Sequence, residues 1–274
     1  MWLPTMLLCL LVMSFPAPVV AASVIKMSEI GAKCDGVTDD TVAFRNGLRA
    51  AGAESRIEFP AGTYVISDTI TIAAHRQHIV GAGMHVTYLK FVPTAGSVKT
   101  LLKVQATPSG ELFQGSIRDL AFGSEDRAFS KTGIEIVDAS GFVVENVASY
   151  PWTGVNSIGI RTRGREFGLF RNLYLSADRP LVISDNPNHS IDIDHHSFFD
   201  CYFTANGNPV LEIESGVNLT HVTFGGAQAW VKGTHGLRWI DSGTSTVGIG
   251  LRIQNVRWEQ AESSTGYFMD IEHN

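Results

Sequence analysis

The sequence predicts an all-β solenoid, a parallel β-helix closed at its N-terminal end by one short helix. Three observations carry this. A six-position pattern recurs along the chain, with apolar residues at positions one, four and six, Ser149 of the second copy excepted, and Asn, Asp or His at position three. A second set of short apolar strands follows several of these copies after a loop of variable length. Between these marks no 3.6-residue apolar period runs, which excludes a helical solenoid.

Taken in order, the chain opens on an apolar run from Met6 to Val20, and Val20-Ala21-Ala22 supplies small residues ahead of Ser23. Residues 1–22 therefore read as a secretory signal peptide, because the run is short for a membrane span and ends in a cleavage-like site. Residues 23–274 read as a single β-helix domain, expected to be secreted (extracellular or periplasmic) and free of the membrane once cleaved. Cys9 would leave with the signal. Cys34 lies in an N-terminal loop, and Cys201 takes an inward slot as an apolar filler.

Next, Thr38 or Asp39 is placed to cap a helix over Val42 to Ala51, whose Phe44, Leu48 and Ala51 share one face. Such a helix covers the open first coil, which would otherwise expose a sheet edge. Arg56 to Ile66 reads as strand, Pro-Gly turn and strand, Thr69 to Ile72 alternates again, and His78 to Gly83 ends a strand in a glycine turn. The six-position copies then start at Ile117, Val144, Phe170, Phe198, Leu219 and Ile253, with steps of 27, 26, 28, 21 and 34 residues. Their third positions are Asp119, Asn146, Asn172, Asp200, His221 and Asn255. These residue types tolerate positive φ, so each marks a left-handed corner before a strand whose apolar residues face inward. Side-chain ladders can run from corner to corner. The second strand set is Gly133–Ile136, Pro180–Ile183, Pro209–Ile213 and Gly266–Ile271. Loops of varying length stacked on one side of a rigid solenoid are where a groove is built. The chain stops after an apolar strand without a capping element, which reads as a C-terminal truncation or as an end covered by a partner copy in an oligomer.

Three stretches resemble a known family. GAKCDGVTDDTVAFRNGL, IEFPAGTYVIS and IVGAGMHVTYLKF, within residues 28–91, look like the opening of the pectate-lyase-like superfamily with the rhamnogalacturonase, epimerase and tailspike type of N-terminus. The resemblance implies a right-handed parallel β-helix acting on polysaccharide. Its members include lyases, hydrolases, epimerases and phage depolymerases, so it speaks for fold more than for reaction.

Composition agrees with a turn-rich globular chain: 44% apolar, 18% charged and 27 glycines in 274 residues. The net charge of −6 and the lack of a basic run argue against a nucleic-acid partner. The densest polar cluster is Asp185 to His196. Ile191-Asp192-Ile193-Asp194 alternates, so a strand would turn both isoleucines in and both carboxylates out, about 6.5–7 Å apart. That lies at the lower end of the roughly 6.5–9.5 Å an inverting glycosidase uses. Asp192 and Asp194 are candidate catalytic carboxylates, with His195 and His196 as alternative bases. The same mixture could hold Ca²⁺ through its carboxylates or a transition metal through its histidines. Arg161, Arg163 and Arg165, in the loop of the preceding coil, are candidates to bind a uronate, together with Asp185. Trp152 and Trp230 are candidate sugar platforms in loops, and Tyr150 and Tyr174 are further ones. The reading is an enzyme cleaving an acidic polysaccharide by hydrolysis or β-elimination, set against a non-catalytic glycan-binding or adhesion protein and a phage-type depolymerase module.

Overall fold

The computed structural model describes residues 23–93, 99–106, 110–128, 130–186, 193–206, 208–214, 217, 219–231, 235–241, 250–260 and 267–273. The expected signal segment, and with it Cys9, lies outside them, as does Asp192. No helix among the described residues is long and apolar enough to cross a membrane.

The chain is a parallel β-helix. Eight strands form one sheet, ordered from Ile70–Ile72 through Lys99–Val104, Lys131–Val137, Ile158–Arg163, Arg179–Ile183, Leu211–Ile213 and His235–Asp241 to Tyr267–His273. Fifteen strands form a second sheet that folds along the Asn corner. Leu112–Ser124, Ala139–Trp152 and Leu169–Ala177 run through that corner, while the next coil splits there into Ser197–Phe199 and Tyr202–Ala205. The short pieces Ile193–Asp194 and Leu219–Thr220 pair in a third sheet.

The corner takes the conformation that its residue types favour. Asp119, Asn146, Asn172, Asp200 and Asn255 have φ between 49° and 57°. Asn146 donates to Asp119 and Asn172 donates to Asn146, each at 2.8 Å, so the amides form a ladder along the solenoid. Behind the corner, inward residues stack in register. Phe170 lies over Phe198 at 4.4 Å and Phe198 over Phe224 at 4.5 Å, nearly parallel, at the spacing of neighbouring strands.

One coil departs from the expected register. Phe198 pairs with Phe224, and Phe224 with Ile253. The fifth copy of the pattern is therefore Phe224-Gly225-Gly226-Ala227-Gln228-Ala229, not Leu219 to Phe224. Its corner residue is Gly226, at φ 64°. The irregular steps of 21 and 34 become 26 and 29. Glycine satisfies the left-handed requirement without the Asn/Asp signature. His221 does sit at positive φ, 54°, but on a different corner.

The capping helix spans Thr41–Ala51 and buries Phe44, Leu48 and Ala51 as expected. Phe44 meets Phe59 edge-on at 4.6 Å, a burial worth about 2 kcal/mol. The helix starts at Thr41, one residue before the expected Val42, and Asp40 is its N-cap residue: Asp39 accepts from the Thr41 amide, while the Asp40 side chain turns back to accept the amides of Lys33 and Cys34. At the other end the buried Gln77 amide donates to the Gly52 carbonyl, beyond the last turn, and to the Leu48 carbonyl, which also accepts the Gly52 amide. In the following glycine turn, a Cβ on Gly81 would stand 2.1 Å from the Asp119 carbonyl oxygen, so the next coil closes only over glycine. Among the described residues Cys34 and Cys201 are free, and Cys201 is buried in its inward slot, its thiol pushed up to about 12 by burial.

Candidate functional site

A second corner runs up the solenoid at the end of the eight-stranded sheet. Glu54, Arg76, Gln114, Gly141, Phe167, His195 and His221 all have positive φ, and backbone bonds link successive coils there. The first three residues are polar and linked: Arg76 pairs with Glu54 and donates to Gln114 at 3.1 Å. The last three are rings. Phe167 stacks on His195 at 5.0 Å, and His195 on His221 at 4.6 Å. Asp194 lies beside them, its Oδ1 2.8 Å from His195 Nδ1 and 3.3 Å from His221 Nδ1.

The adjoining outer face of the eight-stranded sheet carries a row of charges. Register aligns Lys103, Glu135, Arg161, Val182, Glu212 and Arg238 across successive strands. Arg163 pairs with Glu135 at 3.3 Å and Arg161 with Glu214 at 3.2 Å. Arg179 forks onto both oxygens of Glu212, at 2.9 and 2.6 Å, and also reaches Glu214 at 3.0 Å. Burial alone would push the Glu214 carboxyl up. The Ser184 hydroxyl beside it and the guanidiniums of Arg161 and Arg179 overcome that and hold it below the ordinary carboxylate range. Burial also lowers Arg161, with Glu214 opposing.

The two clusters singled out from the sequence meet at this corner. The Asp194 amide donates to the Arg165 carbonyl at 2.9 Å, and the Phe167 amide donates to the Asp194 carbonyl at 3.0 Å. Ile193 is buried and Asp194 half-buried, as the alternation requires. Arg161 and Arg163, expected in a loop, instead lie on the strand Ile158–Arg163 around the buried Thr162. Only Arg165 is in the loop, paired with Glu111 at 2.7 Å. Asp185 is exposed and its carbonyl accepts from Arg163 at 3.2 Å.

Two candidates are corrected. His196 is 1% exposed, and among the described residues neither ring nitrogen has a hydrogen-bond partner. Burial pulls its imidazole down to about 4, against Asp194 nearby. It packs beside Phe170 and under Gly164 and Gly168, out of reach of a polymer. Trp152 is 2% exposed, stacks in the core between Phe91 and Phe122, and donates its indole N–H to the Ile158 carbonyl, so it is no platform. Expected in a loop, Trp152 instead ends the strand Ala139–Trp152, which continues through Pro151. Trp230 lies on the strand Gln228–Val231 rather than in a loop. The tyrosines fare better: Tyr174 is exposed and stacks flat on Tyr202 at 4.9 Å, with Tyr150 edge-on at 6.3 Å.

The sequence reading missed Glu135, Arg179, Glu212 and Glu214. A signal was present: Ile134-Glu135-Ile136, Ile160-Arg161-Thr162, Leu211-Glu212-Ile213 and Leu237-Arg238-Trp239 each set one charge between inward residues.

The family profile of rhamnogalacturonase A/epimerase, pectate lyase-like, matches residues 24–238. No curated protein sequence matches the chain significantly. Among solved structures, the pre-mature gene product 12 of bacteriophage phi29 is 15% identical, covering 84% of this chain and 36% of that one, with a TM-score of 0.63. The gp42 tailspike of Acinetobacter phage vb_AbaP_AS12 is 8% identical, covering 86% and 46%, with a TM-score of 0.59. PfbA, a surface adhesin of Streptococcus pneumoniae, is 13% identical, covering 92% and 79%, with a TM-score of 0.51. At these identities the likeness is one of fold. The chain spans between 36% and 61% of the length of the viral proteins it matches. It belongs to the rhamnogalacturonase A/epimerase, pectate-lyase-like family.

Proposed function

We propose that this pectate-lyase-like chain is a secreted enzyme that cleaves an acidic polysaccharide by β-elimination on the outer face of the eight-stranded sheet. One observation carries the reading: Glu214 is shared by Arg161 and Arg179 on that face. A uronate carboxylate entering the face competes with Glu214 for the Arg161 fork, since both are planar anions. Each uronate so held has its charge neutralised, which acidifies the proton on the neighbouring ring carbon. Released from Arg161, Glu214 gains basicity and stands within the site to take that proton. The electron pair forms the ring double bond, and the glycosidic oxygen leaves with a proton from water. Hydrolysis by two carboxyl groups calls instead for one of them to be raised and protonated near neutrality; Glu214 is shifted the other way.

The test is a panel of pectic, alginate and capsular polysaccharides, following unsaturated uronate absorbance and reducing ends together. Wild type is expected to yield unsaturated product. Glu214→Gln should lower the rate roughly 100-fold or more while keeping affinity, and Arg161→Ala should weaken binding of acidic polymers selectively. Reducing ends without unsaturated product would overturn elimination in favour of hydrolysis. A second reading, glycan binding without cleavage, is favoured by the exposed Tyr174, which stands with Tyr202 and Tyr150 in an aromatic cluster of the kind that contacts sugars. It predicts retained binding with no product, lost in Tyr174→Ala.

A further inference from the structure

We propose that Asp194, His195 and His221 form a site for a divalent transition-metal ion of the zinc class, independent of the polysaccharide chemistry above. Three donor atoms from two successive coils converge there: their ligand atoms all lie within 4.8 Å of one another. Two separations, 2.8 and 3.3 Å from Asp194 Oδ1 to the two Nδ1 atoms, are near the roughly 3.4 Å between donors in a tetrahedral zinc centre with bonds of about 2.0–2.1 Å. A small opening of the shorter contact admits the ion.

The backbone explains why the donors meet. His195 and His221 occupy the same left-handed corner one coil apart, at φ 51° and 54°. The pairing of Ile193–Asp194 with Leu219–Thr220, and the bond from the His195 amide to the Thr220 carbonyl at 2.9 Å, fix their register. Phe167 backs the first imidazole; His221, stacked on its other face at 4.6 Å and 21° and the more exposed of the two, turns out of the stack to bring its nitrogen onto the ion. The side chains of His195 and His221 are 46% and 66% exposed and that of Asp194 28%, so an ion can enter from solvent and keep positions for water.

The donor set selects the class of ion. Two imidazoles and one carboxylate suit zinc, nickel, cobalt or copper, whereas calcium requires six to eight oxygens. Because the ligands come from two coils, the ion acts as a staple across the corner and stabilises the folded chain by mass action.

The experiment uses untagged, EDTA-treated protein titrated calorimetrically with Zn²⁺, Ni²⁺ and Ca²⁺, with the visible spectrum of Co²⁺ reporting imidazole ligation. His221→Asn removes the ring yet tolerates the left-handed corner, so it should fold; circular dichroism without metal checks this. His85→Ala, at a histidine bonded to Tyr150 instead, serves as the reference. One Zn²⁺ per chain, a raised melting temperature, no comparable Ca²⁺ response, and at least tenfold weaker binding in His221→Asn and Asp194→Asn but not in His85→Ala are expected. Undiminished zinc binding in His221→Asn, equal loss in His85→Ala, or no zinc binding at all would each overturn the proposal.

Discussion

The solenoid turns on two corners with the same backbone conformation and different side-chain chemistry. On the first, Asp119, Asn146 and Asn172 bond to one another along the axis. An amide both donates and accepts, so each Asn can extend the chain, and an aspartate, which only accepts, ends it. On the second, Glu54, Arg76 and Gln114 give way to Phe167, His195 and His221, whose rings stack, the two imidazoles setting a nitrogen beside Asp194. Positive φ is thus a constraint on the backbone that leaves the side chain free. One corner uses that freedom to tie coils together, and the other presents donors to solvent beside a charged sheet face.

The sharpest way to break this contrast is to place valine at each corner. Asn146→Val is expected to destabilise by about 3 kcal/mol, combining left-handed strain with two lost hydrogen bonds, read as a denaturation midpoint shift. His221→Val should cost less, about 1–2 kcal/mol, from strain with only an exposed contact to Asp194 and a ring stack on His195 lost besides, both open to solvent. Equal losses would mean that the amide ladder adds nothing to the first corner. A smaller effect of opposite sign is expected just beneath the second. His196→Leu should stabilise by about 1 kcal/mol, because it removes buried nitrogens that lack partners among the described residues; a loss of stability on denaturation would show that the ring is held by a polar contact. The smallest effect is in acid. Glu214 titrates lower in the folded chain than in the unfolded one. The unfolded chain therefore takes up its proton first, so the stabilisation is present above the unfolded value of about 4.5 and is lost as pH falls through the folded value. The gap in melting temperature between wild type and Glu214→Gln should narrow from pH 6 to pH 3, modestly, since Glu214 is partly open to solvent.

Most of the coil architecture was legible because Asn and Asp at a corner, followed by inward apolar positions, is a local signature. It failed in the coil where Gly226 takes the corner, since glycine leaves no side-chain mark, and where His221 imitated the pattern from the other corner. Asp194 and His195 were singled out in the dense polar cluster, and Arg161 and Arg163 separately in the coil before it; the two groups do lie on adjoining coils. His196 and Trp152 looked the same in sequence as their exposed neighbours, because alternation and a proline cannot say which side of the wall a residue takes. Glu135 and Glu212 were passed over as the polar halves of strands, and Glu214 as a residue just beyond one.

By itself the sequence determined the stacked parallel coils, the capping helix and the inward columns, because these follow from local conformational preference and from burial of alternating apolar side chains. The tertiary structure decided who meets whom. Arg161 reaches Glu214 across 53 residues, and His195 reaches His221 across 26, only because each coil between them closes at a particular length. Coil length is set by loops whose residues carry no periodic signal, so contacts between coils become visible only once the coils are stacked.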